Sequence, residues 1–189
     1  MTEIRWHGRG GQGAFTAARL LGDAVAIYDG KYSIAFPSFG PERRGAPVLA
    51  FTRIDNEPII DRSDVTECDY ALVLDDTLFG DPVKAGLKPG ATVIINTIKD
   101  KSLFEIEGVR VITVDATGLA LEILKRDITN VPLVGALVAV TGITSIDSVE
   151  KAIDEQLSPK IREKNKILLK KTYETVLELI KETSYEKSR

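Results

Sequence analysis

The sequence predicts one α/β domain: a largely parallel sheet with helices on both faces and a long C-terminal helix. Three observations carry that expectation. β-branched apolar runs alternate with stretches of helical periodicity along most of the chain. The run "DYALVLDD" (69–76) is continuously apolar at its centre, as a strand covered on both faces must be. A glycine-rich turn, "GRGGQG" (8–13), stands between the first strand and the first helix.

The elements follow in order. "EIRWHG" (3–8) is a short strand that runs into the glycine turn. From Gln12 to Tyr28, Ala, Leu and Phe recur at helical spacing, and Gly30 is the stop signal. "KYSIAFP" (31–37) reads as a second strand, followed by the polar loop "SFGPERRGAP" (38–47) and a third strand, "VLAFTRI" (48–54). "DYALVLDD", "PGATVIIN" (89–96) and "GVRVITV" (108–114) add three more strands, the last two introduced by glycine turns. Helices are expected over Ala116–Arg126, Val131–Val140, Ser148–Gln156 and Pro159 to about Glu182, the last with Ile161, Leu168, Val176 and Ile180 on its apolar face. Residues 1–183 read as the domain and 184–189 as a frayed tail.

Composition removes several function classes. A net charge of −3 and a pI near 5.4 give no reason to expect nucleic acid. One cysteine, Cys68, cannot build a disulfide framework or hold an iron–sulfur cluster within the chain, and one histidine, His7, leaves zinc without its usual ligands. The longest nearly apolar run, Val131 to Ile143, falls short of a membrane span of roughly 20 residues. No signal peptide is visible, so a cytoplasmic location is expected.

Gly8, Gly10 and Gly13 fall in the spacing G-x-G-x-x-G, between a strand and a helix, which makes the fold expectation Rossmann-like. Glycine permits the tight turn and lets a phosphate approach the backbone, while the helix start offers free N–H groups and its positive dipole end. The alternative is a tight turn that serves only helix–sheet packing. NAD is disfavoured, because the second strand ends in Phe36, Pro37 and Ser38 where a dinucleotide enzyme places a ribose-gripping acid. Arg9 and Gln12 in the loop could reach a phosphate or a polar partner. Arg43 and Arg44, stiffened by Pro41, Gly45 and Pro47, suit phosphates or carboxylates, or else pair with Glu42 or another acid to fix their own loop.

"GRGGQG" followed by "FPSFGPERRGAPV" (36–48) resembles the gamma subunit, or gamma domain, of 2-oxoacid:ferredoxin oxidoreductases, and "PERRGAPV" with "FTRI" is most similar to the pyruvate and 2-oxoisovalerate branch. The likeness continues through "YALVLDDTL", "GATVIINT" and "NVPLVGAL", nearly the whole chain. The resemblance implies a subunit that supports CoA-dependent oxidative decarboxylation of a 2-oxoacid to acyl-CoA, with electrons passed to ferredoxin. It implies that thiamine diphosphate, Mg2+ and 4Fe–4S clusters reside on alpha, beta and delta partners. The glycine loop then has coenzyme A as its expected guest, with Gly8, Arg9, Gly10, Gly11, Gln12, Gly13, Ser38, Arg43 and Arg44 as candidate contacts and no catalytic residue in this chain. The arginines could instead anchor the subunit against an acidic partner surface.

Competing readings are a free-standing nucleotide-binding regulatory module and a small NAD-dependent oxidoreductase. Asp75 and Asp76, at the end of a strand, read first as helix caps and second as a site. Asn96 and Thr97 carry the same ambiguity. Cys68 reads as a buried thiol without a base, and His7 as structural before chemical. "VPLVGALVAVTG" (131–142), apolar all round, is expected to form an inter-subunit surface in preference to core.

Overall fold

The computed structural model describes residues 1–38 and 44–186. Six strands form one sheet in the order β2-β3-β1-β4-β5-β6. They are β1 (Thr2–Arg9), β2 (Tyr32–Pro37), β3 (Pro47–Asp55), β4 (Cys68–Val73), β5 (Leu87–Asn96) and β6 (Arg110–Val114). β1, β4, β5 and β6 are mutually parallel, whereas β3 is antiparallel to both β1 and β2. β2 therefore runs in the direction of β1, with β3 wedged between them. The physical reason lies in the 38–46 connection, which is too short for the crossover of a dozen or more residues that a parallel neighbour needs.

The helices are α1 (Ala14–Asp23), the one-turn α2 (Asp81–Lys84), α3 (Ala116–Leu124), α4 (Asn130–Thr141), α5 (Ile146–Gln156) and α6 (Pro159–Glu186). Alternation along the strands divides the core in two. Ile4, Trp6, Leu72, Ile94 and Ile112 face one side, where they pack with α1, α4, α5 and α6. Ala71, Val73, Val93, Ile95 and Val111 face the other, covered by Val65, Val83 of α2 and Phe104 of a 3₁₀ turn. Both faces are covered, but every long helix lies on the first.

The first helix is shorter than its periodicity suggests. After Asp23 the backbone widens into a π-helical turn, Ala24–Tyr28, before Gly30 ends it in the left-handed region. Asp115 and Ser145 cap α3 and α5, accepting the Gly118 and Ser148 N–H groups at 2.7 and 3.0 Å. The short α2 and the 3₁₀ turn Lys101–Phe104 have no periodic signal and lie outside the expected helices, whereas the turn Asp76–Leu78 is the one that the helix-cap reading of Asp75 expects.

α4 departs from expectation. Its residues from Asn130 to Val138 are all buried within this chain. α6 crosses it so closely that a Cβ on Gly135 would lie 2.6 Å from the Leu169 carbonyl oxygen. The expected inter-subunit surface is therefore core: an all-round apolar helix needs cover, and α6 supplies it.

Candidate functional site

The parallel strands β1 and β4 end side by side, with the Leu74 N–H donating to the His7 carbonyl at 2.8 Å. From here the chain leaves β1 for α1 and the β2–β3 hairpin on one side, while β4, β5 and β6 extend on the other. This divergence at the carboxyl ends of parallel strands is where an open α/β sheet leaves a crevice. The glycine loop lies on it.

Each glycine of the loop has its own task. Gly8 is still strand, and a Cβ there would stand 3.3 Å from that of Ala14, so it brings α1 close to the sheet. The Gly10 N–H donates to the Ala46 carbonyl (2.8 Å), and the Gly45 N–H returns a bond to Gly10 (3.0 Å). These bonds stitch the glycine loop to the end of the Arg44-bearing loop, through a bridge between Gly10 and Arg44. Gly11 and Gly13 hold φ of 98° and 82°, conformations that favour glycine. Gly13 also lies against Asn130 at the start of α4, where a Cβ would come within 2.6 Å of Nδ2.

The donors sort accordingly. The Gln12 N–H is folded back onto the Arg9 carbonyl (2.9 Å), and the Arg9 N–H is taken by Gln12 Oε1 (2.7 Å). Among the described residues, the Gly11 and Gly13 N–H groups donate to nothing. They stand at the N-terminus of α1, which has no side-chain cap.

Arg9 turns across the switch point. Its Nε donates to Asp75 Oδ2 (2.9 Å), Nη2 to the Thr77 hydroxyl (2.8 Å) and Nη1 to the Gly45 carbonyl (3.1 Å). Gln12 Nε2 reaches the same Asp75 oxygen at 3.3 Å. Burial works to raise the Asp75 pKa, but hydrogen bonds from the Thr77 hydroxyl and N–H, then from Arg9 and Gln12, outweigh it and hold the carboxyl below its ordinary range. Asp75 also caps the 3₁₀ turn that follows, as a helix-capping reading expects. Beside it, Asp76 accepts from the Thr97 hydroxyl and pairs with Lys99 at 3.1 Å. Asn96 donates to the Leu74 carbonyl (2.9 Å) and to Thr117, whose hydroxyl reaches Asp127 at 3.1 Å. Gln12, Asp75, Thr97, Thr117 and Asp127 line a cleft of about 310 Å³.

The candidates from sequence are thus divided. Arg9, Gly10, Gly11, Gln12, Gly13 and the backbone of Arg44 come together, and the Arg44 side chain is exposed, with no ion pair among the described residues. Ser38 stands apart, bonded to Asp64 (3.3 Å) and Leu49 (2.9 Å). Arg43 lies outside the described residues. Sequence reasoning missed Thr77, Thr117, Asp127 and Asn130, because only the sheet topology brings them to this edge. His7 is buried, its pKa pushed down to about 3 by desolvation and then by the Arg5 charge, and its Nε2 has no partner among the described residues. Cys68 is buried too, its thiol raised by desolvation, with Arg5 Nε 3.1 Å from its sulfur. Among the described residues no group of three His, Cys, Asp or Glu could hold a metal ion. No helix among them is long and apolar enough to cross a membrane.

Residues 3–175 match the family described as pyruvate ferredoxin/flavodoxin oxidoreductase. The chain belongs to that family. It is 53% identical over 166 residues to the pyruvate synthase subunit PorC of Methanocaldococcus jannaschii, covering 87% of this chain and 91% of that one. It is 48% identical to the pyruvate/ketoisovalerate oxidoreductases common subunit gamma of Thermococcus litoralis, over 92% and 96% of the two chains. The crystal structure of the pyruvate oxidoreductase subunit PORC of Thermotoga maritima superposes with a TM-score of 0.81 at 40% identity, covering 92% of this chain and 95% of that one. Within the family, the chain is a gamma subunit of a 2-oxoacid:ferredoxin oxidoreductase. The resemblance carried by the two loops is confirmed.

Proposed function

We propose that this gamma subunit binds coenzyme A through the glycine loop, in an enzyme that acts on pyruvate. The observation that carries the reading is the pair of N–H groups, Gly11 and Gly13, at the N-terminus of α1 that donate to nothing among the described residues, with Arg44, which makes no ion pair among those residues, held beside the pair by the backbone bridge to Gly10. Backbone donors at a helix start suit a phosphate oxygen, and a guanidinium adds charge-assisted bonds. Gly10 and Gln12 serve by holding the loop's shape, since their own N–H groups are engaged. Arg43 joins Arg44 as a second candidate cation.

The strand beside β1 also argues against NAD. It is β3, which runs the opposite way and places Pro47 opposite Arg9, where a ribose grip would need an acid. In this reading thiamine diphosphate, Mg2+ and the iron–sulfur clusters belong to alpha, beta and delta subunits, the complex works in the cytoplasm, and ferredoxin takes its electrons.

Titration of CoA into the assembled complex tests the proposal. An Arg44→Ala variant, and an Arg43→Ala/Arg44→Ala pair, should weaken CoA about tenfold or more, the worth of a charge-assisted bond of roughly 1.5 kcal/mol or above. The KM for CoA should rise with kcat little changed. Wild-type affinity in the double variant would sink the reading.

A further inference from the structure

The sheet has two edges, and they are defended differently. β6 begins with Arg110, and Lys101, Leu179 and Ile180 stand alongside it. β2 reads Tyr-Ser-Ile-Ala-Phe-Pro and has no charged residue. Natural edge strands are usually blunted by charge, Pro, bulge or cover, and among these devices β2 carries only Pro37, at its end. β2 pairs with β3 over its full length without a register shift.

The antiparallel ladder fixes which backbone groups face out. The Ser38 N–H donates to the Leu49 carbonyl (2.9 Å), so the two-residue alternation turns Ile34 and Phe36 toward β3, and Ser33, Ala35 and Pro37 outward. The Ser33 and Ala35 N–H groups and the carbonyls of all three are thus open to an added strand. Beside this edge lies a groove of about 370 Å³, lined by Ile34, Ala35, Phe36 and Arg62. Its floor is firm, because Phe36 packs on Phe51 with ring centroids 5.3 Å apart and carries the Arg53 guanidinium over its face. Arg62 is exposed and makes no ion pair or hydrogen bond among the described residues.

We infer that the β2 edge takes an extended segment of another subunit of the complex as a seventh strand, with a carboxylate of that segment on Arg62 and an apolar side chain in the groove. Main-chain bonds give such an addition its affinity, and the alternate side chains give it specificity. Charge complementarity speaks against the simplest rival. A second copy pairing β2 with β2 brings six uncharged residues, so that strand offers neither Arg62 a carboxylate. The inference rests on this chain's place in a multi-subunit enzyme and is independent of where CoA binds.

The test uses the intact complex, purified through a tag on another subunit. Hydrogen–deuterium exchange should show the Ser33 and Ala35 amides as slow as those of the inner ladder, and Arg62→Glu should lower retention of this subunit at least tenfold, with Arg62→Lys between. Fast exchange at Ser33 and Ala35, or full retention of Arg62→Glu, overturns the inference. So does a disulfide between two copies of this subunit in a Tyr32→Cys variant, which would make the occupant a second copy. CoA affinity measured on the same samples separates the two proposals, since Arg62 takes no part in the glycine loop.

Discussion

Arg9 and Asp75 meet across the switch point of the sheet, Nε to Oδ2 at 2.9 Å, and join the end of β1 to the end of β4. Arg9 has three of its five N–H donors engaged, since its other two nitrogens each bond once, to Thr77 and to Gly45. It positions both loops. In the assembled enzyme, Arg9→Ala should therefore raise the KM for CoA several-fold by loosening the loops, at a stability cost of about 1 kcal/mol because the pair is partly solvated. Arg9→Lys cannot make the forked contact and should recover only part of the loss. Steady-state kinetics and urea midpoints on each variant check this.

The same pair predicts an acid dependence. Asp75 has a folded pKa below its unfolded one, so its contribution to stability is present above the ordinary carboxylate pKa, about 3.9, and is lost as pH falls through the lower folded value. Asp75→Asn should be less stable than wild type at neutral pH, and the gap should close in acid. Denaturant melts at several pH values measure it, and a gap independent of pH would contradict the assignment.

How much of this was legible follows residue by residue. Strand and helix positions could be read because periodicity records which side of each element meets the core, as with Ile4 and Trp6 or Leu168 and Val176. The direction of β3 was legible only in the shortness of the 38–46 connection, since the alternation of side chains along a strand does not record it. The glycine loop was recognisable from its spacing, but not that Gly10 spends its N–H on Ala46, nor that Arg9 is tied to Asp75. Such pairings join positions dozens of residues apart, and only the assembled sheet decides them. α4 was misjudged for a related reason: its composition demands cover without saying which element provides it.

Gly13 offers a sharper test of the loop. Gly13→Ala meets two penalties, a left-handed φ of 82° and a Cβ 2.6 Å from Asn130 Nδ2. Gly11→Ala meets only the first, since nothing lies within 4 Å of its Cβ. The Gly11 variant should lose about 1 kcal/mol, and the Gly13 variant more. Adding Asn130→Ala should restore part of the Gly13→Ala loss and none of the Gly11→Ala loss. Thermal or urea unfolding of the four variants provides the comparison.

Trp6 makes the core observable. It is the only tryptophan, and its indole N–H donates to the Thr52 hydroxyl (3.0 Å), which in turn donates to the Ala18 carbonyl (3.0 Å). All three residues are buried. Thr52→Val keeps the shape but orphans the indole N–H, and should cost about 2 kcal/mol. Because the probe is unique, the unfolding midpoint can be followed by its fluorescence, and an unchanged midpoint would show that the hydroxyl bridge adds nothing.

His7 supplies the strongest pH dependence. Its folded pKa is pushed to about 3 from 6.5 by burial, with the Arg5 charge adding to the shift. Between those values the unfolded chain binds a proton that the folded chain refuses, so stability falls as pH drops through that window. The slope approaches 1.4 kcal/mol per pH unit for one proton. This opposes the usual gain for a histidine that finds an acidic partner, since here Nε2 has none. His7→Phe removes both the titration and the orphaned nitrogen. It should flatten the stability profile between pH 6.5 and 3 and leave stability at neutral pH unchanged or higher, as expected when an unpaired buried polar atom is replaced by an apolar ring. Equal slopes in the two proteins would mean that His7 gains a proton while folded, and would return it to the list of groups that could serve the neighbouring loop.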